Sequence, residues 1–496
     1  MSVAQETVED TPVSTEETET GIPSKIKLVI GLLLAATFVM ILNETVMSVA
    51  LPRLMNEFSI SAATVQWLTT GFMLTMAVVI PTTGLILQRF TTRAVFIAAM
   101  SLFTAGTLLA AVAPAFGVLV VARVVQASGT AVMLPLLMTT VLTFVPADRR
   151  GRTIGLISIV ISVAPAIGPT FSGFILESLS WRWMFLAVLP IAALSLFLGA
   201  ALVKNITEPK SVKIDLLSIV LSALTFGGLI YGLSSLGEAA TEAGAPISPS
   251  LPLSVGAVSL VLFVWRQLVL QRSDAPLMDL RVFNNRPFAI GIAMMLISMA
   301  TFFGSLILLP MYLQNVLELK TMETGLVLLP GGLAMGLSSP FIGRLYDRFG
   351  PRPLVTPGAI FVAIGLGLLT QLDQTTETSF VVMAHVLLMV GLACMMTPLM
   401  TNALGDLKPE LYSHGSAIVN TLQQMAGAAG TALFITIMTT GITSEMANGA
   451  DEIAAQAAGI HDAFIWGCVL AIVSVAASFM VKKAAAPAVE GAPAVH

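Results

Sequence analysis

Apolar residues fill this chain in long blocks separated by short polar stretches. Fourteen blocks lie at about 27–51, 63–87, 94–113, 116–145, 153–176, 182–203, 215–236, 252–271, 288–315, 323–345, 353–372, 379–403, 414–441 and 461–481. Each is close to or beyond the roughly 20 residues that an α-helix needs to cross a bilayer. Strands of a membrane barrel would be about 10 residues long in strict alternation. These blocks are longer, do not alternate, and are rich in Leu, Ala, Gly and Met. The expected fold is an all-α polytopic membrane protein with 14 transmembrane helices.

The polar stretches set its orientation. Cytoplasmic loops carry the excess of Lys and Arg, and an even number of spans puts both termini on one side. With the N-terminus inside, all but four of the 24 basic residues fall on the inner side; the exceptions are Arg53, Arg182, Lys320 and the intramembrane Arg123. Both termini are therefore expected in the cytoplasm. Composition agrees with a membrane protein: 56% of residues are hydrophobic and 10% charged, against about 25% charged in soluble domains. Residues 1–24 hold six acidic and no basic residues, which predicts a disordered acidic tail rather than a signal peptide. The C-terminal AAAPAVEGAPAVH reads as a second tail. The stretch 237–251 reads as an acidic outer loop. Cys394 and Cys468 lie in apolar blocks without metal-ligand spacing and read as small core residues.

The blocks repeat. GLILQRFTTR at Gly84–Arg93 matches GRLYDRFGPR at Gly343–Arg352, an offset of 259 residues, and the stretches beginning at Leu51 and Leu309 match at an offset of 258. Six-helix halves in direct succession would repeat at roughly 200 residues, so two extra helices are expected between them. The resulting division is an acidic tail at 1–26, a six-helix bundle at 27–203, two inserted helices at 204–287, a second six-helix bundle at 288–482 and a tail at 483–496. Related halves flanking a midplane site are a recurring plan of secondary transporters.

Few ionisable residues interrupt the blocks. Glu44 is the only acid well inside one, and Arg123 lies deep within the fourth. A charge at a helix centre costs about 2.5–3.5 kcal/mol on insertion scales and normally faces a cavity or a partner. A carboxyl there can alternate between a neutral and an ionised state as access switches sides; the alternative is a structural hydrogen-bonder near the outer interface. Arg123 is the obvious partner of opposite sign, unless it snorkels outward. His385 in the twelfth block could relay protons or be a core histidine. Asn420, Gln423 and Gln424 in the thirteenth could bond between helices or touch a substrate. Gly168-Pro169 predicts a kink in the fifth block, with Gly173 allowing close helix packing.

On these residues the chain resembles the major facilitator superfamily, and within it the fourteen-helix drug:proton antiporters of the EmrB/QacA type. The resemblance spans residues 27 to 482, and LPMYLQ and SHGSAIVNTLQQ are similar to the lincomycin-resistance exporter subgroup. In the family's inner-loop motif, Gly343, Asp347, Arg348, Gly350 and Arg352 match completely, while the first copy keeps Gly84, Arg89 and Arg93 but has Gln88 for the acid and Thr91 for a glycine. The resemblance implies a gating latch there, weaker or differently wired in the first copy. Arg123, Gln126 and Gly129 match the motif implying proton coupling. Pro165, Gly168, Pro169 and Gly173 match the antiporter signature, with Ser172 replacing a glycine. In the first helix the family has Asp followed by a neutral residue, whereas here Asn43 precedes Glu44. One residue is about 100° of helix rotation.

The proton-coupling set is thus expected to be Glu44, Asn43, Arg123 and His385. The substrate cavity is expected to be lined by Met47, Trp67, Gln126, Met133, Phe302, Phe303, Met311, Tyr312, Asn315, Met396 and Gln423, since Met and aromatic side chains adapt to varied ligands. No phosphate-binding Gly-x-x-x-x-Gly-Lys-Ser/Thr loop and no nucleophile–base set occurs in the sequence. No enzyme activity or cofactor is expected, and a proton gradient would supply the energy. The expected function is export of lipophilic antibiotics and other lipophilic or cationic drugs. The expected partners are drugs, protons and bilayer lipid, with no nucleic acid, for a monomer in the bacterial plasma membrane. Export of an endogenous metabolite or lipid is the alternative.

Overall fold

The computed structural model describes residues 24–482 apart from 61, 66, 204, 206–208, 210–214, 240–247 and 274–275. The expected tails, apart from residues 24–26, and most of the expected acidic outer loop lie outside the described residues. Helix α1 runs Ser24–Phe58, α2 is the span Trp67–Arg89, α3 is Thr92–Ala111, α4 Phe116–Phe144, α5 Arg150–Ser178, α6 Arg182–Leu202 and α7 Leu216–Ala239. Then follow α8 Ser250–Leu270, α9 Arg286–Asn315, α10 Thr321–Phe349, α11 Arg352–Leu369, α12 Thr378–Gly405, α13 Tyr412–Ala447 and α14 Glu452–Ser478. Within α2, the helix Trp67–Val79 passes through a 3-10 turn at Ile80–Thr82 into Thr83–Arg89, and Pro81 sits in that turn. No strand occurs among the described residues.

Among the described residues, thirteen helices are long and apolar enough to cross a membrane; α5, which covers the expected block 153–176, is not in that count. Helices suit these sequences because hydrocarbon offers no partner to a backbone N–H or C=O, so each bond must close within its own segment. Polar side chains fix several starts. Thr91 accepts from Ala94 N at 3.3 Å, Asn285 from Phe288 N at 2.9 Å and Asp451 from Ala454 N at 2.9 Å, each satisfying an orphan donor. Gly350 ends α10 at φ 80°, a left-handed conformation that glycine adopts without strain. Exposed Phe197, Leu216 and Val261 mark the apolar outer faces of α6, α7 and α8.

The most extensive pairing joins α5 to α10. The counterpart pairing brings α13 against α2 and α4. Helices α7 and α8 pack on each other where Gly228 approaches Gly256, beside an edge-to-face Phe226–Phe263 pair at 5.9 Å. Helix α7 also rests on both α2 and α13. Where the two begin and end on the basic-loop side, Arg266 binds Asp215 at 3.0 Å and holds that carboxyl below the usual range.

Candidate functional site

Helices α1, α2, α4, α5, α9 and α13 surround a cavity of about 140 Å³. Helix α1 contributes Thr37, Met40, Ile41, Glu44 and Thr45, and α2 contributes Met76 and Ile80. From α4 come Thr130, Ala131, Met133, Leu134 and Pro135, and from α5 Ile161 and Pro165. Opposite them stand Met299, Phe302, Phe303 and Leu306 of α9 and Asn420, Gln423 and Gln424 of α13. Phe302 and Phe303 meet edge to face at 5.4 Å. A smaller void of about 30 Å³ continues past Phe302 and Gln423 toward Met396 and Met400. A recess of about 1090 Å³ elsewhere, bordered by Gln88, Asp279, Arg281, Lys408 and Glu410, carries charges of both signs and shares no residue with the central cavity.

The displaced acid explains how this site is wired. Arg123 is buried, and its Nη1 donates to Asn43 Oδ1 at 2.9 Å and to Gln126 Oε1 at 3.1 Å. Its Nε donates to Leu68 O at 3.4 Å and its guanidinium lies 4.1 Å from the Phe72 ring centroid. Gln126 is fixed in turn, donating from Nε2 to Thr107 Oγ1 at 2.9 Å. Asn43 thus occupies the position facing the arginine. Glu44, one residue on, faces the cavity instead, and among the described residues its carboxyl makes no hydrogen bond or ion pair.

Helix α5 sets where Glu44 stands. Gly168 has no room for a Cβ, which would collide with the Thr45 side chain, and Ser172 Oγ donates to Val46 O at 3.1 Å. The close approach is therefore at Gly168. Around Gly173 itself the space is open, and the packing in this stretch comes through Gly168 and Ser172. Pro165 lines the cavity, and the side chain of Pro169 lies outside the described residues. The Ser172 that departs from the glycine pattern supplies a bond a glycine could not. Replacing Gly168 with Val should push α1 off α5, costing roughly 1–3 kcal/mol in overpacking. A thermal melt of the detergent-purified variant checks this; an unchanged midpoint would refute it.

The repeated motif forms two unlike contacts, both at the end of the helices that carries the basic loops. Asp347 accepts from Gly151 N at 2.8 Å and from Arg152 N at 3.0 Å, a carboxylate on the first turn of α5. Gly343 lies against Gly151 so closely that a Cβ there would strike its carbonyl. In the first copy, Gln88 Nε2 donates to Ser413 Oγ at 3.1 Å and lies 2.7 Å from His414 Nε2, at the first turn of α13. Gly84 packs against His414. Ser158 and Thr397 hydroxyls meet at 2.9 Å, and Arg150 Nη1 donates to Gly405 O at 3.4 Å. Arg93 bonds instead to Ala200 O at 2.6 Å, while Arg348 lies over Phe349 and Arg352 is exposed. Arg89 has a partner of its own.

Of the expected cavity residues, Met133, Phe302, Phe303 and Gln423 line the central cavity and Met396 the void beside it. The others lie elsewhere. Met47 is buried in an apolar cluster with Phe185, and Gln126 serves Arg123. Trp67 is 43% exposed and stacks on Tyr231 of α7 at 6.1 Å. Tyr312 donates to Asp373 O at 2.6 Å, Met311 packs against the core and Asn315 is exposed at the end of α9. His385 is buried against Gly331, outside both cavities, and makes no hydrogen bond among the described residues. Sequence reasoning missed Met40, Met76, Thr130 and Met299, which differ from their packed neighbours only in the direction they face.

The sequence profile of the Major Facilitator Superfamily matches residues 33–431. Lincomycin resistance protein LmrB of Listeria monocytogenes is 44% identical over 92% of this chain and 97% of its own length. Its Bacillus subtilis namesake is 43% identical over 92% of this chain and 95% of its own. Multidrug resistance protein B homolog of Mycobacterium tuberculosis is 32% identical over 82% of this chain and 75% of its own. The crystal structure of the human organic anion transporter MFSD10 (TETRAN) superposes with a TM-score of 0.62 at 13% identity, over 92% of this chain and all of that one, a likeness of fold alone.

Proposed function

Because this chain belongs to the Major Facilitator Superfamily, we propose that it is a proton-coupled drug exporter of the bacterial plasma membrane. Its substrates would be lipophilic antibiotics of the lincosamide kind and other lipophilic or cationic drugs. The observation that carries this reading is the placement of Glu44: an intramembrane carboxyl, free of hydrogen bonds among the described residues, in a cavity walled by Met, Phe and amide side chains. The relatives named for lincomycin and multidrug resistance support the drug assignment.

In this reading fourteen spans form two six-helix bundles, α1–α6 and α9–α14, with α7 and α8 between them and both termini cytoplasmic. The bundles rock about the central cavity. Glu44 releases its proton to the cytoplasm as drug loads and regains one from outside as drug leaves. Asn43, Arg123 and Gln126 hold α1 and α4 in register beside it, and Asp347 latches the inner side when the cavity opens outward. The carrier works as a monomer in lipid, without cofactor or nucleic acid. One proton falling through 100 mV supplies about 2.3 kcal/mol, enough to drive uphill export without nucleotide.

The test uses inverted membrane vesicles from cells expressing the chain. Lincomycin or a lipophilic cation should dissipate an imposed pH gradient, and vesicles lacking the protein should not respond. A gradient that neither compound disturbs, in vesicles shown to contain the protein, would refute the proposal.

A further inference from the structure

The recess of about 1090 Å³ at the basic-loop end shares three helices, though no residue, with the central cavity. On α4 the cavity lining ends at Pro135 and the recess begins at Thr139. On α13 the corresponding pair is Asn420 and His414, and on α2 it is Ile80 and Leu87. At 1.5 Å of rise per residue, only about 6–10 Å of helix separates the two spaces. The seam between α2 and α13 runs from one to the other. It is closed where Gln88 meets Ser413 and His414 and where Gly84 packs on His414.

A further wall of the recess is a strap, residues 276–285, between α8 and α9. Leu277 N and Met278 N donate to Oε1 of the buried Gln267 at 2.8 and 3.2 Å, and Gln267 Nε2 donates to Ser218 Oγ of α7 at 2.8 Å. Leu277, Met278 and Val282 are buried, and Asn285 Nδ2 donates to Asp406 Oδ2 at 2.7 Å. Helices α7 and α8 thereby hold one wall of the recess in place.

The lining is polar. Asp279 is buried and paired with Arg281 at 2.7 Å. Asp406 and Glu410 form no ion pair among the described residues, and Lys408 lies between them in the chain. Among the Asp, Glu, Lys and Arg side chains of the lining, carboxylates therefore exceed cations by one. Thr139 Oγ1 is buried on this wall with no hydrogen-bond partner among the described residues, a cost that a bound hydrogen-bonding group would remove. Thr143 and Asn284 add a hydroxyl and an amide. One carboxylate in excess, ringed by amides and hydroxyls, fits an organic monocation that also carries hydrogen-bonding groups.

We propose that this recess is a second substrate site, on the inner face, which binds amphipathic ammonium compounds bearing hydroxyl or amide groups before they pass along the α2–α13 seam into the central cavity. The onward passage rests on the export reading given above. Occupancy of the recess does not require Glu44, which is absent from its lining.

The probe is lincomycin, an ammonium compound with hydroxyls and an amide, and the control is tetraphenylphosphonium, a cation with neither. In a chain without Cys394 and Cys468, single cysteines replace Thr143 on α4, Asn284 on the strap, or Lys27, an exposed residue of α1 outside the recess. Inverted vesicles present the inner face to an impermeant thiol reagent. Lincomycin should slow labelling of Thr143→Cys and Asn284→Cys about fivefold, the equivalent of one ordinary hydrogen bond, and leave Lys27→Cys unchanged. It should do so equally when Glu44→Gln is added, and tetraphenylphosphonium should protect neither position. Thr143→Trp, which fills the recess, should raise the KM for lincomycin-driven proton release by a similar factor and leave the maximal rate nearly unchanged.

Equal labelling with and without lincomycin at both recess positions overturns the site, whatever the vesicles transport. Equal protection of Lys27→Cys overturns it as a general change of shape, and equal protection by tetraphenylphosphonium overturns the ligand class. An unaltered KM in Thr143→Trp removes the recess from the path. Protection that persists where lincomycin moves no protons upholds the recess as a binding site and overturns the export reading alone.

Discussion

Replacing Glu44 with Gln should abolish drug-driven proton release and lower uphill export at least a hundredfold, while the protein still folds and inserts. The two halves of this expectation have separate physical grounds. Folding survives because the carboxyl makes no hydrogen bond or ion pair among the described residues, so an isosteric amide leaves no partner stranded. Export fails because an amide does not exchange a proton near neutral pH, and without that step the pH gradient is disconnected from the drug. Facilitated diffusion can remain. Drug-induced collapse of a pH gradient in inverted vesicles, compared at equal expression, reads the difference directly. Equal responses from the two proteins would mean that Glu44 is structural and that protons bind elsewhere.

A companion variant asks whether the direction of the carboxyl matters. Asn43→Asp combined with Glu44→Gln moves the acid onto Arg123, which Asn43 already contacts at 2.9 Å. There it would form a buried ion pair instead of facing the cavity, and one residue of helix turns a side chain about 100°. Drug-driven proton release should stay near the level of the single Gln variant. Full recovery would show that the carboxyl can work from either position.

That one-residue shift also shows what could be read from the sequence. Length and hydropathy fix where the helices lie, because hydrocarbon admits little else. An acid and an arginine inside apolar blocks declare themselves by their cost. Their facing does not: nothing in the order of the two residues states that Asn43 meets Arg123 and Glu44 the cavity until α5 seats α1 through Gly168 and Thr45. The lining shows the same limit. Phe302 and Phe303 face the cavity while Met311 and Tyr312 of the same helix do not, yet all four suit either role by chemistry. The second contact at the basic-loop end was illegible for another reason. Gln88 marks where an acid is absent, and its partners Ser413 and His414 open the stretch SHGSAIVNTLQQ, where nothing in the order of residues pairs them with Gln88. They emerge from the repeat, where α13 stands to α2 as α5 stands to α10.

That relation yields the second large effect. Asp347→Asn should cut export about tenfold and expose the cavity to the inner side. The Asp347 carboxylate accepts two backbone N–H groups at the start of α5, at 2.8 and 3.0 Å, and charge-assisted bonds of this kind contribute roughly 1.5–3 kcal/mol. The Asn amide can still accept one bond but loses the charge that the helix terminus favours. Adding Gln88→Asp places a carboxylate at the matching position, aimed at the first turn of α13 beside Ser413 and His414. If the two contacts act as one lock, the double variant should recover much of the lost closure. The readout is a cysteine at Thr37, which lines the cavity, in a background without Cys394 and Cys468. An impermeant thiol reagent applied from the inner side should label it faster in Asp347→Asn than in the parent, and more slowly again once Gln88→Asp is added. Labelling rates that do not differ among the three proteins would show that neither contact holds the inner side shut.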